Sequence, residues 1–455
     1  MRVLVCSQGF PRHPDDHHAP FILDHARALA AAGVEVTVLC PSAPELSGRD
    51  RFGEVDVVRF RYAPRRLELL GYSGAMHRHV RGPHALLLPL FMLGYFFAAI
   101  RLAASADVVH GHWWAPSGLV AVVAARLRGV ASVVHVHGTD ATLGSRHGLR
   151  SLARWVLRRA DVVMAASSAL GEWVRSLAGP RAEVVVAPMP LDPARVPSPS
   201  PPPPDGPVVA VGRLVPEKGF DVLIRAVGST GDRLVLVGEG AERGALEALA
   251  SSLGANVDFA GVVPPAELAD WYRRARVVAV PSRREGFGLV AAEALAAGRP
   301  VVASDVGGLT DIVSPGVSGL LVPPGDPTEL AAALGAVEAS MGSAGPESVH
   351  WLSPPAIAEL NVAAYDSAIA RRVGRRPLLP VLVKVVSAAF VLVSGIFFYL
   401  ALRGQWDEAS ALRLRWEARS VLAATVSVAV AHLILSASWV WLLRRMGGVV
   451  SWPSG

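Results

Sequence analysis

EGFGLVAAEALAAGRPVVAS, residues 285–304, holds two acids, Glu285 and Glu293, eight residues apart in an otherwise apolar, alanine-rich segment. Before it stands RVVAVPS (276–282), a short Val-rich run with the length of a strand. RREGFG is then a loop, LVAAEALAAG a helix closed by Gly298, and PVVAS (300–304) the next strand. Gly is a common helix stop. Strand, loop, helix, strand is the unit of a parallel α/β sheet. The loop glycines let backbone approach a ligand, and the helix start offers free N–H groups and a positive dipole end. Along one helix, eight residues would set the acids ~80° and ~12 Å apart. Here Glu285 lies outside the helix and Glu293 inside it, so they flank an anion-binding point. A nucleotide-sugar has that layout: hydroxyl-rich sugar, diphosphate, hydroxyl-bearing ribose. The plainer reading makes Glu285 a loop cap and Glu293 a surface acid.

The same unit recurs on both sides. RVLVC (2–6), VEVTVLC (34–40), ADVVHGH (106–112), ASVVHVHG (131–138) and ADVVMAAS (160–167) alternate with helical patterns such as FILDHARALAAAG (21–33). VPSPSPPPPDGP (196–207) interrupts the series; a Pro-rich stretch of this kind joins neither a helix nor a central strand and acts as a semi-stiff spacer. A second series follows: VVAVGRL (208–214), RLVLVGEG (233–240), NVDFAGVV (256–263), then the runs at 276 and 300. Near-continuous valine runs indicate parallel sheets covered on both faces. The expected fold class is therefore α/β, with two Rossmann-like domains facing a cleft at the C-terminal ends of their strands. The expected organisation is 1–195, a first Rossmann-like domain; 196–207, a linker; 208–355, a second Rossmann-like domain holding the anion-binding point; and 356–373, a closing helix.

In GRLVPEKGFDVLIRA (212–226), Arg213 and Lys218 share one loop between a strand and a helix. The chain has only two lysines, Lys218 and Lys384, which makes a Lys in a Gly/Pro loop more notable. Two cations beside a helix start suit a leaving diphosphate, whose charge grows in the transition state. An isolated loop cation is more often merely solvated.

Composition bounds the rest. The 455 residues are 52% hydrophobic with net charge +6, and the apolar excess gathers near the C-terminus. LLPVLVKVVSAAFVLVSGIFFYLAL (378–402) and VLAATVSVAVAHLILSASWVWLL (421–443) are each long enough to span a bilayer, so two transmembrane helices are expected over 378–443. Arg371, Arg372, Arg375 and Arg376 precede the first run and Arg444 and Arg445 follow the second. That bias puts both ends, and the α/β domains, on the cytoplasmic side of the inner membrane. HALLLPLFMLGYFFAAI (84–100) would also pass for a span, but crossing there would separate DVVHGH from its partner strands. It is expected to pack on the first sheet. RRLELLGYSGAMHRHVRGPH (65–84) suits an anionic membrane or a lipid-phosphate acceptor, or is an ordinary basic loop. Cys6 and Cys40 sit in strand-like runs, which fits a reducing compartment rather than a disulfide scaffold. MRVLVC reads as a first strand, not a secretory signal.

Taken together, GRLVPEKGFDVLIRA, VGEG, EGFGLVAAEALAAGRPVVASDVGG and GLLVPPGD resemble, in order and spacing, glycosyltransferase family 4, retaining enzymes of the GT-B fold. FPRHPDDHHAPFILDHARALAAAGVEVTVL, DVVHGHW and HVHGTD resemble its N-terminal half, so the likeness covers residues 1–372. The resemblance implies roles for the matching positions. Arg213 and Lys218 would bind the donor diphosphate. Glu285 would face the donor sugar, with Gly286, Phe287, Gly288 and Leu289 lending backbone contacts. Glu293 would hold the ribose, His137 would stand near the sugar, and Gly9 would bring backbone near the phosphates. The chain departs from the family pattern at APMPLD (187–192), at the single Gly9 and at Asp311, which stands where Glu is usual. The C-terminal region also resembles the start of the lysylphosphatidylglycerol-synthase or flippase-like membrane family.

The expected activity is transfer of a sugar from a UDP- or GDP-linked donor to a membrane-associated or cell-envelope acceptor, a glycan or lipid. No cofactor, metal or nucleic acid is expected. The sequence contains no Asp-X-Asp for a metal clamp. His110/His112 and His135/His137 are two-apart pairs that could hold zinc but fit strand-end packing better. VGEGAERG (237–244) mimics a dinucleotide fingerprint, yet sits late in its domain and lacks the following acid. Two alternatives stay open: a nucleotide-sugar epimerase or hydrolase of the same fold, and a transferase fused to a truncated lipid-transport module.

Overall fold

A computed structural model describes residues 1–13, 16, 18–46, 48–68, 70–72, 87–192, 196–374 and 377–382. Both expected spans lie outside these residues except for 378–382, and most of the basic stretch 65–84 lies outside them too.

The first sheet comprises β1 (Arg2–Cys6), β2 (Glu35–Pro41), β3 (Arg49–Phe52), β4 (Val55–Phe60), β5 (Val108–His112), β6 (Ala131–Val136), β7 (Val162–Ala165) and β8 (Val184–Val186). Their order is β3-β4-β2-β1-β5-β6-β7-β8. All pairings are parallel except β3 with β4, a hairpin at the edge. The second sheet is wholly parallel: β9 (Val208–Val211), β10 (Leu234–Val237), β11 (Val257–Gly261), β12 (Val277–Val280), β13 (Val301–Ser304) and β14 (Gly319–Val322), ordered β11-β10-β9-β12-β13-β14. In both sheets the order reverses beside the first strand of the unit, which places a ligand crevice at the C-terminal strand ends.

The valine runs are strands because both faces are covered. Val3, Leu4, Val5 and Cys6 are all buried, as are Val277 to Val280. One apolar cluster passes from Trp114, Val134 and Val163 of the first domain to Val209, Val278 and Leu295 of the second. The last helix, Pro354–Arg372, leaves the second sheet and packs on the first, burying Ala364, Tyr365 and Ala368 there.

The Pro-rich segment is not a free spacer. The buried Arg299 guanidinium donates to the carbonyls of Ser200 and Pro201 on that segment and to Ala275 O on the second domain.

The apolar helix Leu87–Leu102 lies on the first sheet, where Phe91 and Tyr95 are buried against Phe60; the Phe60–Tyr95 rings stack at 4.4 Å. With Ala103–Ser105 it is long and apolar enough to cross a membrane, but only 28% of it is buried. Its outer face carries exposed Leu90, Leu93 and Phe97.

Candidate active site

Two loops of the second domain build the polar centre. After β9 the chain makes a tight turn, Pro216–Lys218, and enters the helix Phe220–Thr230. After β12, residues 281–288 lead into the helix Leu289–Ala296. Since β9 and β12 are paired neighbours, the loops meet. Arg283 N donates to Glu217 O at 2.8 Å. The Arg283 guanidinium bonds Asp221 in bidentate fashion, both at 2.7 Å, and donates to Pro216 O.

This clamp aligns Lys218 and Glu285. Lys218 Nζ donates to Glu285 Oε2 at 2.7 Å, and Ser282 Oγ donates to the same oxygen at 3.1 Å. Both charged side chains are largely buried, at 23% and 13% exposure. Arg213 stands exposed on the same loop and forms no ion pair among the described residues. Gly288 caps the helix 289–296 with φ +106°, a conformation that favours glycine, and Phe287 behind it is buried. Leu289 opens the helix. Glu293 sits deeper than the ribose role pictures: it is 6% exposed and accepts from Tyr272 Oη at 2.7 Å.

The first domain meets this loop at the end of β6. A Cβ on Gly286 would lie 2.2 Å from His137 O, and one on Gly138 (φ +116°) would lie 2.7 Å from Gly286 Cα. Two glycines thus allow backbone to touch backbone across the cleft. Asp140, 2% exposed, holds the β6 turn by accepting from His137 N and Gly138 N. Burial pushes its carboxyl up to about 6. The structure therefore brings His137, Gly286 and Glu285 into one region. Gly9 lies buried in the loop after β1, with a Cβ position 3.2 Å from His18 Nε2.

Behind His137 is a buried histidine stack. His112 Nδ1 and His137 Nε2 are 2.8 Å apart, and the His135 and His137 rings stack at 4.4 Å. His25 meets the His110 and His112 rings edge-on. His135 Nε2–H donates to Ala187 O. The final helix closes the stack: His25 Nε2–H donates to Asn361 Oδ1 at 3.0 Å, and Tyr365 Oη lies 2.7 Å from His110 Nδ1. Burial holds all five well below the ordinary imidazole range, His25 at about 4 and His137 at about 3, so they are neutral at physiological pH. The sets His25/His110/His112 and His112/His135/His137 each place three ring nitrogens within 4.8 Å, close enough to hold a metal ion.

Four contributors escape the sequence reading: His25, Asp140, Asn361 and Tyr365. His25, Asn361 and Tyr365 meet their partners through tertiary folding, which no local pattern carries, whereas Asp140 bonds locally, inside HVHGTD. Trp113, at φ +64° and packed 5.2 Å from the His137 ring, is a fifth; strained non-glycine backbone gathers at functional sites.

A cation and a carboxylate at a helix start, facing a second α/β domain across a cleft, fit the two-domain GT-B class of transferases. Comparison with known proteins agrees. Residues 18–190 match the model of the glycosyl transferase 4-like domain, and residues 206–339 that of glycosyl transferases group 1. The chain is 38% identical over 289 residues to a D-inositol 3-phosphate glycosyltransferase of Acidothermus cellulolyticus, covering 54% of this chain and 64% of the relative. It is 32% identical over 373 residues to a glycogen synthase of Mycobacterium tuberculosis, covering 74% and 86%. Among solved structures, sucrose-phosphate synthase of Thermosynechococcus elongatus superposes with TM-score 0.69 at 26% identity over 81% of this chain and 99% of that one. Anabaena HepE in complex with UDP-glucose shares the fold, at TM-score 0.61, 20% identity, and 81% and 100% coverage. The chain belongs to the family 4, or group 1, glycosyltransferases.

Proposed function

We propose that the protein is a retaining glycosyltransferase that moves a sugar from a UDP- or GDP-sugar to a lipid-linked or envelope-glycan acceptor at the cytoplasmic face of the inner membrane. The observation that carries the reading is the Lys218–Glu285 pair, 2.7 Å apart beside the start of the helix 289–296 and opposite His137. In the free enzyme Glu285 neutralises Lys218. A bound diphosphate takes over the ammonium, with Arg213 as the second cation, and frees Glu285 for the sugar hydroxyls. As the anomeric C–O bond breaks, the electron pair passes to the diphosphate. Its growing charge meets Lys218, Arg213 and helix N–H groups already in place, which lowers the barrier. The acceptor oxygen bonds the anomeric carbon on the same face, and its proton goes to the departing phosphate oxygen. No step calls on a metal. Glu293, bonded to Tyr272, supports the ribose end.

The apolar runs 378–402 and 421–443 support membrane attachment, and with it an acceptor held at the lipid surface. The test is a panel of labelled UDP- and GDP-sugars offered with total membrane lipid. Transfer of label into lipid or glycan from one donor is the expected result. Donor turnover that ignores every acceptor would favour an epimerase or hydrolase instead.

A further inference from the structure

The helix Arg150–Arg159, RSLARWVLRR, buries Ala153, Val156 and Leu157 and leaves Arg150, Leu152, Arg154, Trp155, Arg158 and Arg159 exposed. None of its four arginines forms an ion pair with an acid among the described residues. The Arg159 guanidinium lies over the Trp155 ring at 5.0 Å. Arg126, on the neighbouring helix Leu119–Arg128, donates to Arg159 O and closes a groove of about 560 Å³. Arg126, Ser151, Arg154, Trp155, Arg158 and Arg159 line it. Arg154, Arg158 and Arg159 gather three like charges along one groove, a field that favours an anion among them. Forked donors beside an indole suit a phosphate at a water–lipid boundary.

The path of the chain says which phosphate. Leu378 N donates to Arg126 O, and Pro377 packs against Gly129. From the groove's edge, Leu378, Val381 and Leu382 point outward at 49%, 56% and 47% exposure. They begin the apolar run 378–402, with 73 further residues, 383–455, beyond them. On the other side of the helix 119–128 lies the helix 87–102, with exposed Leu90, Leu93 and Phe97; Arg128 Nε ties the two by donating to Ile100 O. One helical layer therefore combines the exposed arginines of the helix 150–159, an exposed tryptophan, an apolar strip and the exit of a bilayer-length segment.

We propose that this groove binds the phosphate of an anionic phospholipid headgroup, so that the helix 150–159 rests on the leaflet that the 378–402 run enters. The proposal rests on reading that run as a membrane span. It concerns a face that shares no residue with the Lys218–Glu285 centre.

The test uses the full chain reconstituted in vesicles of brominated phosphatidylcholine, alone or mixed with brominated phosphatidylglycerol. Quenching assigned to Trp155, by subtracting the Trp155→Phe variant, is expected only in the mixed vesicles. The Arg154→Gln/Arg158→Gln double variant is expected to lose it, needing roughly tenfold more anionic lipid for the same signal. Arg154→Lys/Arg158→Lys is expected to keep most of it, and unchanged circular dichroism shows that both fold. If the chain floats with the vesicles but Trp155 is quenched alike with and without anionic lipid, the headgroup site is wrong while membrane attachment stands. If the chain does not float with vesicles at all, both fail. Protection of the arginines by inorganic phosphate or RNA, but not by lipid, overturns the proposal as well.

Discussion

Arg283 grips Asp221 through two hydrogen bonds of 2.7 Å, joining the loop after β12 to the first turn of the helix that follows β9. Neither residue belongs to the polar centre, yet between them they fix the separation of Lys218 and Glu285. Arg283→Ala is predicted to lower kcat/KM by about tenfold to a hundredfold through misplacement of the pair. The two side chains are 40% and 39% exposed, so their ion pair contributes at most about 1 kcal/mol to stability. Steady-state kinetics beside a melting curve separates the effects: lost activity at unchanged melting temperature is expected.

Gly286 is the tightest meeting of the domains. In Gly286→Ala the new methyl would stand 2.2 Å from His137 O, too close for any contact, with backbone on both sides. The domains are predicted to be held apart, with turnover down at least about tenfold. Small-angle scattering checks this directly: the variant should show a larger radius of gyration than the wild type with donor bound.

The final helix is fastened through histidines. Tyr365→Phe leaves His110 Nδ1 buried without its partner, and Asn361→Ala does the same to His25 Nε2. Each loss is predicted to cost about 1–3 kcal/mol. Urea midpoints report it, and the two costs should add within error only if the stack does not couple them.

Four buried histidines and the half-buried His137, all neutral, make the fold acid-sensitive. Their folded-state values are lowered, so the unfolded chain binds protons that the folded one refuses once pH drops below the ordinary imidazole value near 6.5. Stability is therefore complete above that pH and lost as pH falls toward the folded-state values, by up to about 1.4 kcal/mol per unit for each histidine. Asp140 acts in the opposite sense: raised to about 6, it favours the folded state as pH falls from 6 toward 4, offsetting one proton of the five. Denaturant midpoints from pH 7.5 down to pH 5 should fall steeply, within the roughly 6.5-to-4 window the lowered values define. A flat profile would show that the stack takes up protons without unfolding.

The sheets were legible in the sequence because their strands are covered on both faces and so appear as unbroken valine runs. RVLVC is β1 residue for residue, while VVAVGRL keeps only its first four residues as β9. The edge elements escaped. β3 and β4 form a hairpin whose RDRF strand is half exposed and shows no apolar run, and β8 has only three residues. Of the site, Lys218, Glu285 and Gly286 carried a local signal, since each lies in a Gly-bearing loop between a strand and a helix. Of the histidine stack, the pairs His110/His112 and His135/His137 showed in the sequence, but His25 and the meeting of the pairs did not, because they come from three separate segments that join only in the folded core. The Pro-rich segment reads as a spacer, and only the buried Arg299 reveals its attachment to the second domain.

The central claim is that Lys218 and Glu285 handle the donor. Its most direct test is the initial rate of label transfer from the accepted nucleotide-sugar by wild type, Lys218→Ala and Glu285→Gln at saturating acceptor. Both variants are predicted to lose about a hundredfold to a thousandfold in kcat, the effect of removing one group that stabilises transition-state charge, while keeping the wild-type melting temperature. Transfer by both variants at the wild-type rate would contradict the account.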